Sequence, residues 1–426
     1  MAEQETPRQE PCGAEPLVPQ LTLQDFQDAR ERIQSVIRTT RLIKSPRLSE
    51  QSGQQIYLKP ENLQVTGAYK IRGACNAVGK LSDEAAARGL ITASAGNHAQ
   101  GLAMAGQLRG VPVTIVMPEV TPLIKVNSTK GYGATVVLHG NTFDDACAHA
   151  QKLAEANQMT FVHPFDNLDV AAGQGTMVFE ILEELPDADV ILVPIGGGGL
   201  ATGVSTLAKL LRPDIQVIGV EPSGASCMKK SLKAGHVVSL NTVDTIADGV
   251  AVKRPGETIF PYVQQNVDRI ITIPDEELVG VFLDLLETHK ILVENAGLLS
   301  VAAARHLDPD PNRKAVCILS GGNMDVITLA SVVQHGLIAR ERVFTFSVLL
   351  PDRPGEMEKV AHLVAEARGN IIKLVHNQFF SINRNSAVEL QVTLEAFGHA
   401  HKLEIMRSLE DAGYRCAIVD TRGSAY

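Results

Sequence analysis

Residues 188–211 read ADVILVPIGGGGLATGVSTLAKLL: an apolar run from Ile191 to Ile195, four glycines from Gly196 to Gly199, then apolar residues at helical spacing. A buried strand, a glycine turn and a helix N-terminus make an anion site. Glycine lets the backbone approach a phosphate closely, and the helix dipole adds partial positive charge. The bland reading is a turn that is glycine-rich for backbone reasons alone. No Gly-Lys-Ser/Thr follows, which excludes a P-loop. Gly196, Gly198 and Ala201 fit a G-x-G-x-x-A spacing, and Glu221 follows about 20 residues on, where a ribose contact would sit, so an NAD(P)-binding oxidoreductase is one open reading.

Outward from this stretch, apolar strands alternate with helical segments. LTLQDFQDARERIQSVI reads as a helix, IYLKPE as a strand and AYKIRGACNAVGKL as a helix; GLITAS, PVTIVMP, ATVVLHG and TFVHPF are strands, each followed by a helical stretch. VILVPI, VIGVEP and KAVCILSGG add three more, short enough to be buried on both faces. The alternation predicts an α/β fold with parallel sheets in two lobes, the catalytic part spanning 21–335 with a small lobe of about 57–155 inserted. Residues 1–20 hold four prolines without hydrophobic periodicity and are expected to be a disordered tail.

The last 85 residues change character: their order is strand, helix, strand, strand, helix, strand, a ferredoxin-like βαββαβ unit over 343–426, joined by a linker at 336–342. The net charge of −9 is spread over mixed signs, with no basic block and no tryptophan, so nucleic acid is not expected as a partner. No apolar run reaches the roughly 18 residues of a membrane span, and a signal-peptide pattern is lacking; a cytoplasmic protein is expected. The six cysteines, Cys12, Cys75, Cys147, Cys227, Cys317 and Cys416, lie far apart, mostly among apolar neighbours, and read as buried reduced thiols.

Three further blocks carry possible chemistry. ENLQVTGAYKIRGA places Lys70 near a helix start between Tyr69 and Ile71, with Arg72 two positions on. A solvated charge is the bland reading, but partial burial against an apolar wall would make the amine a nucleophile for carbonyl groups. TASAGNHAQG puts Ser94, Ala95, Gly96 and Asn97 between a strand and a helix, a cup of N–H groups suited to a carboxylate, or else a plain N-cap. CILSGGN ends a strand with Ser320. All four blocks can lie at the carboxyl ends of strands, where parallel sheets bind ligands.

A reactive lysine, a phosphate cup, a carboxylate cup and a strand-end hydroxyl together describe pyridoxal 5'-phosphate bound to an amino acid. In order along the chain, KIRGA, SAGNHAQG, HPFDN with AGQGT, the glycine run and SGGN resemble the fold-type II pyridoxal-phosphate enzymes, in particular the threonine and serine dehydratases, over about residues 22–330. The segment DRPGE resembles the start of an ACT regulatory domain. The resemblance implies that Lys70 is the Schiff-base lysine and takes the Cα proton, that Asn97 donates to the cofactor's ring hydroxyl, and that Gly196, Gly197, Gly198 and Gly199 hold its phosphate. It also implies that Ser320 faces the pyridine nitrogen, that Ser94–Asn97 receive the substrate carboxylate, and that the cofactor phosphate protonates the departing β-hydroxyl. A neutral hydroxyl at Ser320 does not keep the ring nitrogen protonated as a carboxylate would, which favours prompt β-elimination.

Two departures narrow the family. Serine racemases, which the chain also resembles, have a serine where this chain has Ala95, so the second proton donor of racemisation is missing. Their divalent site resembles Glu221 and Ala225, but Cys227 stands where an aspartate is expected, and hard cations prefer oxygen ligands. A monovalent ion or none is expected there. Glu221 also reads as a ribose contact or a strand-end surface charge, while His98 and Glu294 carry no assigned role. The expected activity is dehydration and deamination of L-threonine to 2-oxobutanoate and ammonia, with L-serine to pyruvate beside it. A homodimer or homotetramer is expected, with isoleucine or another branched amino acid as possible effector at Pro351–Gly355. A non-catalytic amino-acid sensor remains a third reading.

Overall fold

The computed structural model describes residues 20–378 and 388–419. The expected disordered tail therefore lies outside the described residues, except for Gln20, as does Cys12. The described chain divides into two compact units, one running to Ile273 and including Leu299–Asn323, the other made of Pro274–Leu298 and the chain from Met324 on.

In chain order the first unit's strands are β1 (Ile43–Lys44), β2 (Gln55–Lys59), β3 (Leu90–Ala93), β4 (Val113–Met117), β5 (Thr135–Leu138), β6 (Thr160–Phe161), β7 (Val190–Pro194), β8 (Gln216–Pro222), β9 (Arg269–Ile273) and β10 (Lys314–Ile318). They build two sheets, ordered β1-β2-β10-β7-β8-β9 and β5-β4-β3-β6. Every pairing is parallel except β1 with β2. Each residue of β7 is buried, as a central strand covered on both faces must be. The small lobe read as about 57–155 is shifted at both ends. β2 pairs with β10 in the larger sheet, and β6, beyond residue 155, completes the smaller one. TFVHPF shortens to two strand residues because Pro164 lacks an N–H and the Nδ1 atom of His163 accepts the N–H groups of Phe165 and Asp166, folding the chain into a turn.

A buried charge cluster anchors the helix Lys70–Lys80. Arg72, fully buried, forms ion pairs with Glu61 (2.7 Å) and Glu180 (2.7 Å), and Glu180 also pairs with Lys59, likewise fully buried. Two cations and two carboxylates from β2, the turn after it and two helices thus neutralise one another, which is what makes their burial tolerable. The helix then packs tightly: a Cβ at Gly73 would lie 2.6 Å from Val170 O.

In the second unit, β11 (Val343–Leu350), β12 (Asn370–Asn377), β13 (Val388–Glu395) and β14 (Cys416–Val419) form an antiparallel sheet ordered β12-β13-β11-β14, with helices Glu356–Glu366 and His399–Asp411 at the two crossovers. This is the βαββαβ order read from the sequence. Alternation sets its faces, with Phe344, Phe346, Val348 and Leu350 buried together with Val388, Leu390, Val392 and Leu394. Of the linker at 336–342, the first four residues are the last turn of helix Val326–Ala339, whose Gly336 lets it lie against Leu283 of helix Asp275–His289. Among the described residues no helix is long and apolar enough to cross a membrane. Cys75, Cys147, Cys227, Cys317 and Cys416 are free thiols, but only Cys227 and Cys317 are buried as read, while Cys75, Cys147 and Cys416 keep partial exposure.

Candidate active site

Lys70 is the first residue of its helix, half-buried, and its Nζ donates to Pro164 O at 2.8 Å. The segment before it runs alongside the end of β10. Tyr69 donates its backbone N–H to Ser320 O (3.0 Å), Ala68 and Gly321 form an antiparallel bridge, and Gly322 donates to Gly67 O (2.8 Å). The TGAYK and SGGN blocks are therefore stitched together, and Ser320, 3% exposed, is held one residue from Lys70 across this pairing. Gly67 has φ +71°, and a Cβ there would meet Asn323 Oδ1 at 2.5 Å, so this turn needs glycine.

Ser94 to Gly96 join β3 to the helix Asn97–Arg109. Neither Ser94 nor Asn97 is the N-cap. That place falls to Gly96, which makes no side-chain cap bond. Ser94 Oγ instead accepts the Gly96 N–H at 3.3 Å, and the space where a Gly96 side chain would point is open. An uncapped helix start facing open space suits a carboxylate. Ala95 turns its methyl to the small-lobe core. Further along the helix, a Cβ at Gly101 would come within 3.2 Å of the Lys70 backbone, so the carboxylate cup and the lysine are packed neighbours.

Gly196–Gly199 lead from β7 into helix Gly199–Leu211, again without a side-chain cap. Gly198 has φ +108°, and a Cβ at Gly197 would lie 2.2 Å from the Phe165 ring. The glycines are required by close walls, and the open N–H groups of the first helical turn fit a phosphate in front of them. One segment links this loop to the lysine: Pro164 accepts from Lys70, Phe165 covers Gly197, and Asp166 accepts the N–H groups of Glu257, Thr258 and Ile259, whose side chain meets Gly198. The sequence reading named HPFDN as a motif but gave none of its residues a role. Only long-range contacts reveal it.

Two neutral imidazoles lie near the lysine. His98 is buried, its Nε2 bonded to Val162 O at 3.2 Å, and its pKa is pushed down to about 3 by burial and then by the Lys70 charge. Burial, against the pull of Asp166 and with the added push of Lys70, brings His163 to about 4. Neither places a second positive charge beside Lys70 at neutral pH.

Glu221 caps a helix whose first residues, Cys227 and Met228, border the glycine loop. Its two oxygens accept the N–H groups of Met228 (2.8 Å) and Lys229 (2.9 Å), capping helix Cys227–Ala234, and burial raises its pKa to about 7 against those bonds. A carboxylate engaged in this way is poorly placed for a ribose contact. Ala225 lies in the short turn Ser223–Ala225, and Cys227, its thiol raised to about 12 by burial, points its Sγ at Gly196 O (3.9 Å). Among the described residues no three His, Cys, Asp or Glu side chains group as a metal site.

Residues 33–321 match the family described as pyridoxal-phosphate dependent enzyme. An L-threonine ammonia-lyase of Geobacter sulfurreducens is 45% identical over 91% of this chain and 97% of its own length, and one from Thermotoga maritima is 41% identical over 94% and 100%. Among solved structures, threonine deaminase isoform 2 of Solanum lycopersicum matches with a TM-score of 0.69 at 37% identity, covering 75% of this chain and 91% of that one. Maize serine racemase matches with a TM-score of 0.69 at 32% identity, covering 75% and 98%. The chain belongs to the family of pyridoxal-phosphate dependent enzymes.

Proposed function

We propose that this protein deaminates L-threonine to 2-oxobutanoate and ammonia by β-elimination, and L-serine to pyruvate as a second substrate. The observation that carries the reading is the stitching of Lys70 to Ser320 on one side and, through Pro164 and Phe165, to the glycine loop on the other. That connectivity suits a flat cofactor with an aldehyde at one end and a phosphate at the other. The named activities of the two ammonia-lyases above support the reaction.

When bound, pyridoxal 5'-phosphate supplies the electron sink that makes the Cα proton removable. Lys70 Nζ would hold the cofactor and, as a free amine, would accept that proton. The N–H groups of Gly196–Gly199 would hold the phosphate, Asn97 would donate to the ring oxygen, and the Ser320 hydroxyl would meet the ring nitrogen. The substrate carboxylate settles at Ser94, Ala95, Gly96 and Asn97, in the open space before the helix. Water lost at Cβ is returned when the imine product hydrolyses, so the net change is loss of one ammonia. With Ala95 offering no hydroxyl, racemisation is not part of this reading.

The catalytic part spans about residues 21–335 of the sequence, although its helices Asp275–His289 and Val326–Ala339 fall in the same compact unit as the βαββαβ sheet, and that sheet with its two helices acts as an ACT-like regulatory domain in a cytoplasmic homodimer or homotetramer. Gly355 in the Pro351–Gly355 turn has φ +90° and open space around it, and the helix it precedes has no side-chain cap, which suits an amino-acid effector such as isoleucine. Ketoacid release from L-threonine and L-serine, with and without isoleucine, tests the whole reading. Release that needs pyridoxal 5'-phosphate and responds to isoleucine is expected. No release from either substrate would refute the enzyme, and indifference to branched amino acids would refute the effector.

A further inference from the structure

The SGGN block offers more than Ser320. Asn323 Nδ2 donates both to Thr66 O (2.8 Å) and to Asn97 Oδ1 (2.8 Å). A peptide carbonyl can only accept, so the Asn323 atom facing Thr66 must be nitrogen. That nitrogen can only donate, so Asn97 must turn its oxygen toward it. The nitrogen of Asn97 is thereby placed on the other branch of its amide. Two residues that are 226 apart in sequence thus settle an amide orientation that neither could fix alone.

We infer that Asn323 is a positioning residue that holds Asn97 with its amide donor turned toward the cofactor's ring oxygen. The inference rests on the proposed function, which makes Asn97 the partner of that oxygen. An oxygen carrying negative charge is stabilised by a donor and repelled by a carbonyl, so a flipped Asn97 would oppose binding where a fixed one favours it. The surroundings keep Asn323 in place. Its side-chain oxygen lies 2.5 Å from where a Cβ of Gly67 would be, and the Gly67–Gly322 and Tyr69–Ser320 backbone bonds hold the two segments in register.

The test is titration of the apoprotein with pyridoxal 5'-phosphate, read as affinity and as the absorption band of the bound cofactor, for Asn97→Ala, Asn323→Ala and the double variant. A hydrogen bond to a charged group is worth about 1.5–3 kcal/mol, so each single variant is expected to bind the cofactor roughly 10- to 150-fold more weakly with a shifted band. Because Asn323 acts through Asn97, adding Asn323→Ala to Asn97→Ala is expected to cost less than about twofold more. Multiplying losses, or an Asn323→Ala protein that binds and absorbs as the parent does, would overturn the inference. Asn323→Asp is the second variant should Asn323→Ala not fold. It cannot donate to Thr66 O and accepts from Asn97, and its band should shift, whereas the parental band would count against the inference. If the parent protein itself binds no cofactor, it is the proposed function that fails.

Discussion

The backbone N–H of Tyr69 donates to the carbonyl of Ser320 at 3.0 Å, tying the residue before Lys70 to the end of β10. With the Ala68–Gly321 bridge and the Gly322–Gly67 bond, it holds the lysine's segment against the strand end, although 251 positions separate Tyr69 from Ser320 (320 minus 69). The bond uses only the main chain, so the Ser320 side chain is left to a separate task.

Replacing Ser320 by Ala should therefore leave the stitching intact. A neutral hydrogen bond contributes about 0.5–1.5 kcal/mol, so cofactor affinity should fall roughly 2- to 12-fold, with the apoprotein's melting temperature little changed. Calorimetry and cofactor titration separate the two effects. A lower melting temperature with unchanged affinity would assign the hydroxyl to the fold.

Gly197→Ala and Gly198→Ala should act on the phosphate loop by different routes. The first drives a methyl into the Phe165 ring at 2.2 Å; the second combines a contact of 2.3 Å with Ile259 and a φ of +108°. Overpacking of this kind costs about 1–3 kcal/mol, so cofactor affinity should drop roughly 5- to 150-fold in each variant. Gly110→Ala is a control for left-handed backbone alone, since it has positive φ but open space, and it should leave affinity unchanged.

The charge cluster should be the most sensitive part of the first unit. Arg72→Met leaves Glu61 and Glu180 without their guanidinium, and an uncompensated buried charge costs about 3–5 kcal/mol. Burial of Glu61 pushes its pKa up, but Arg72, Lys59 and Thr40 outweigh it and hold the carboxyl below its ordinary 4.5. A depressed carboxylate contributes stability that is complete above pH 4.5 and lost as pH falls through the folded value. Denaturant melts should accordingly show the parent weakening below pH 4.5, while Arg72→Met is already weak at pH 7.

His98 gives a different pH signature. Its folded pKa near 3 lies below the ordinary 6.5, so the contribution is complete above pH 6.5 and is lost as pH falls from there toward 3. His98→Gln keeps a donor for Val162 O and does not titrate. Between pH 6.5 and 5 the parent should lose about 1.6 kcal/mol more than the variant. Parallel stability curves over that range would show that His98 is not held neutral.

The four strand-end blocks were legible in the sequence because each is local: a strand, a special turn and a helix start lie within a dozen residues. The βαββαβ order was legible for the same reason, since alternation marks each strand. What stayed hidden depends on distant partners. Lys59 and Glu180 are 121 residues apart, and nothing near either announces the other. Pro164 matters through a carbonyl, which every residue has, and Asn323 through partners at Thr66 and Asn97. Ser94 and Asn97 looked equally fit to cap their helix, and only the backbone conformation assigns that place to Gly96. Glu221 carried several readings because a strand-end carboxylate is compatible with many, until the helix it caps was seen.

The central claim is that Lys70 holds the cofactor, and borohydride reduction of the cofactor-loaded protein followed by peptide mapping tests it most directly. The account predicts one pyridoxyl adduct, on Lys70, and its disappearance together with ketoacid release from threonine in Lys70→Ala. An adduct on another lysine, or none from a cofactor-saturated sample, would contradict it.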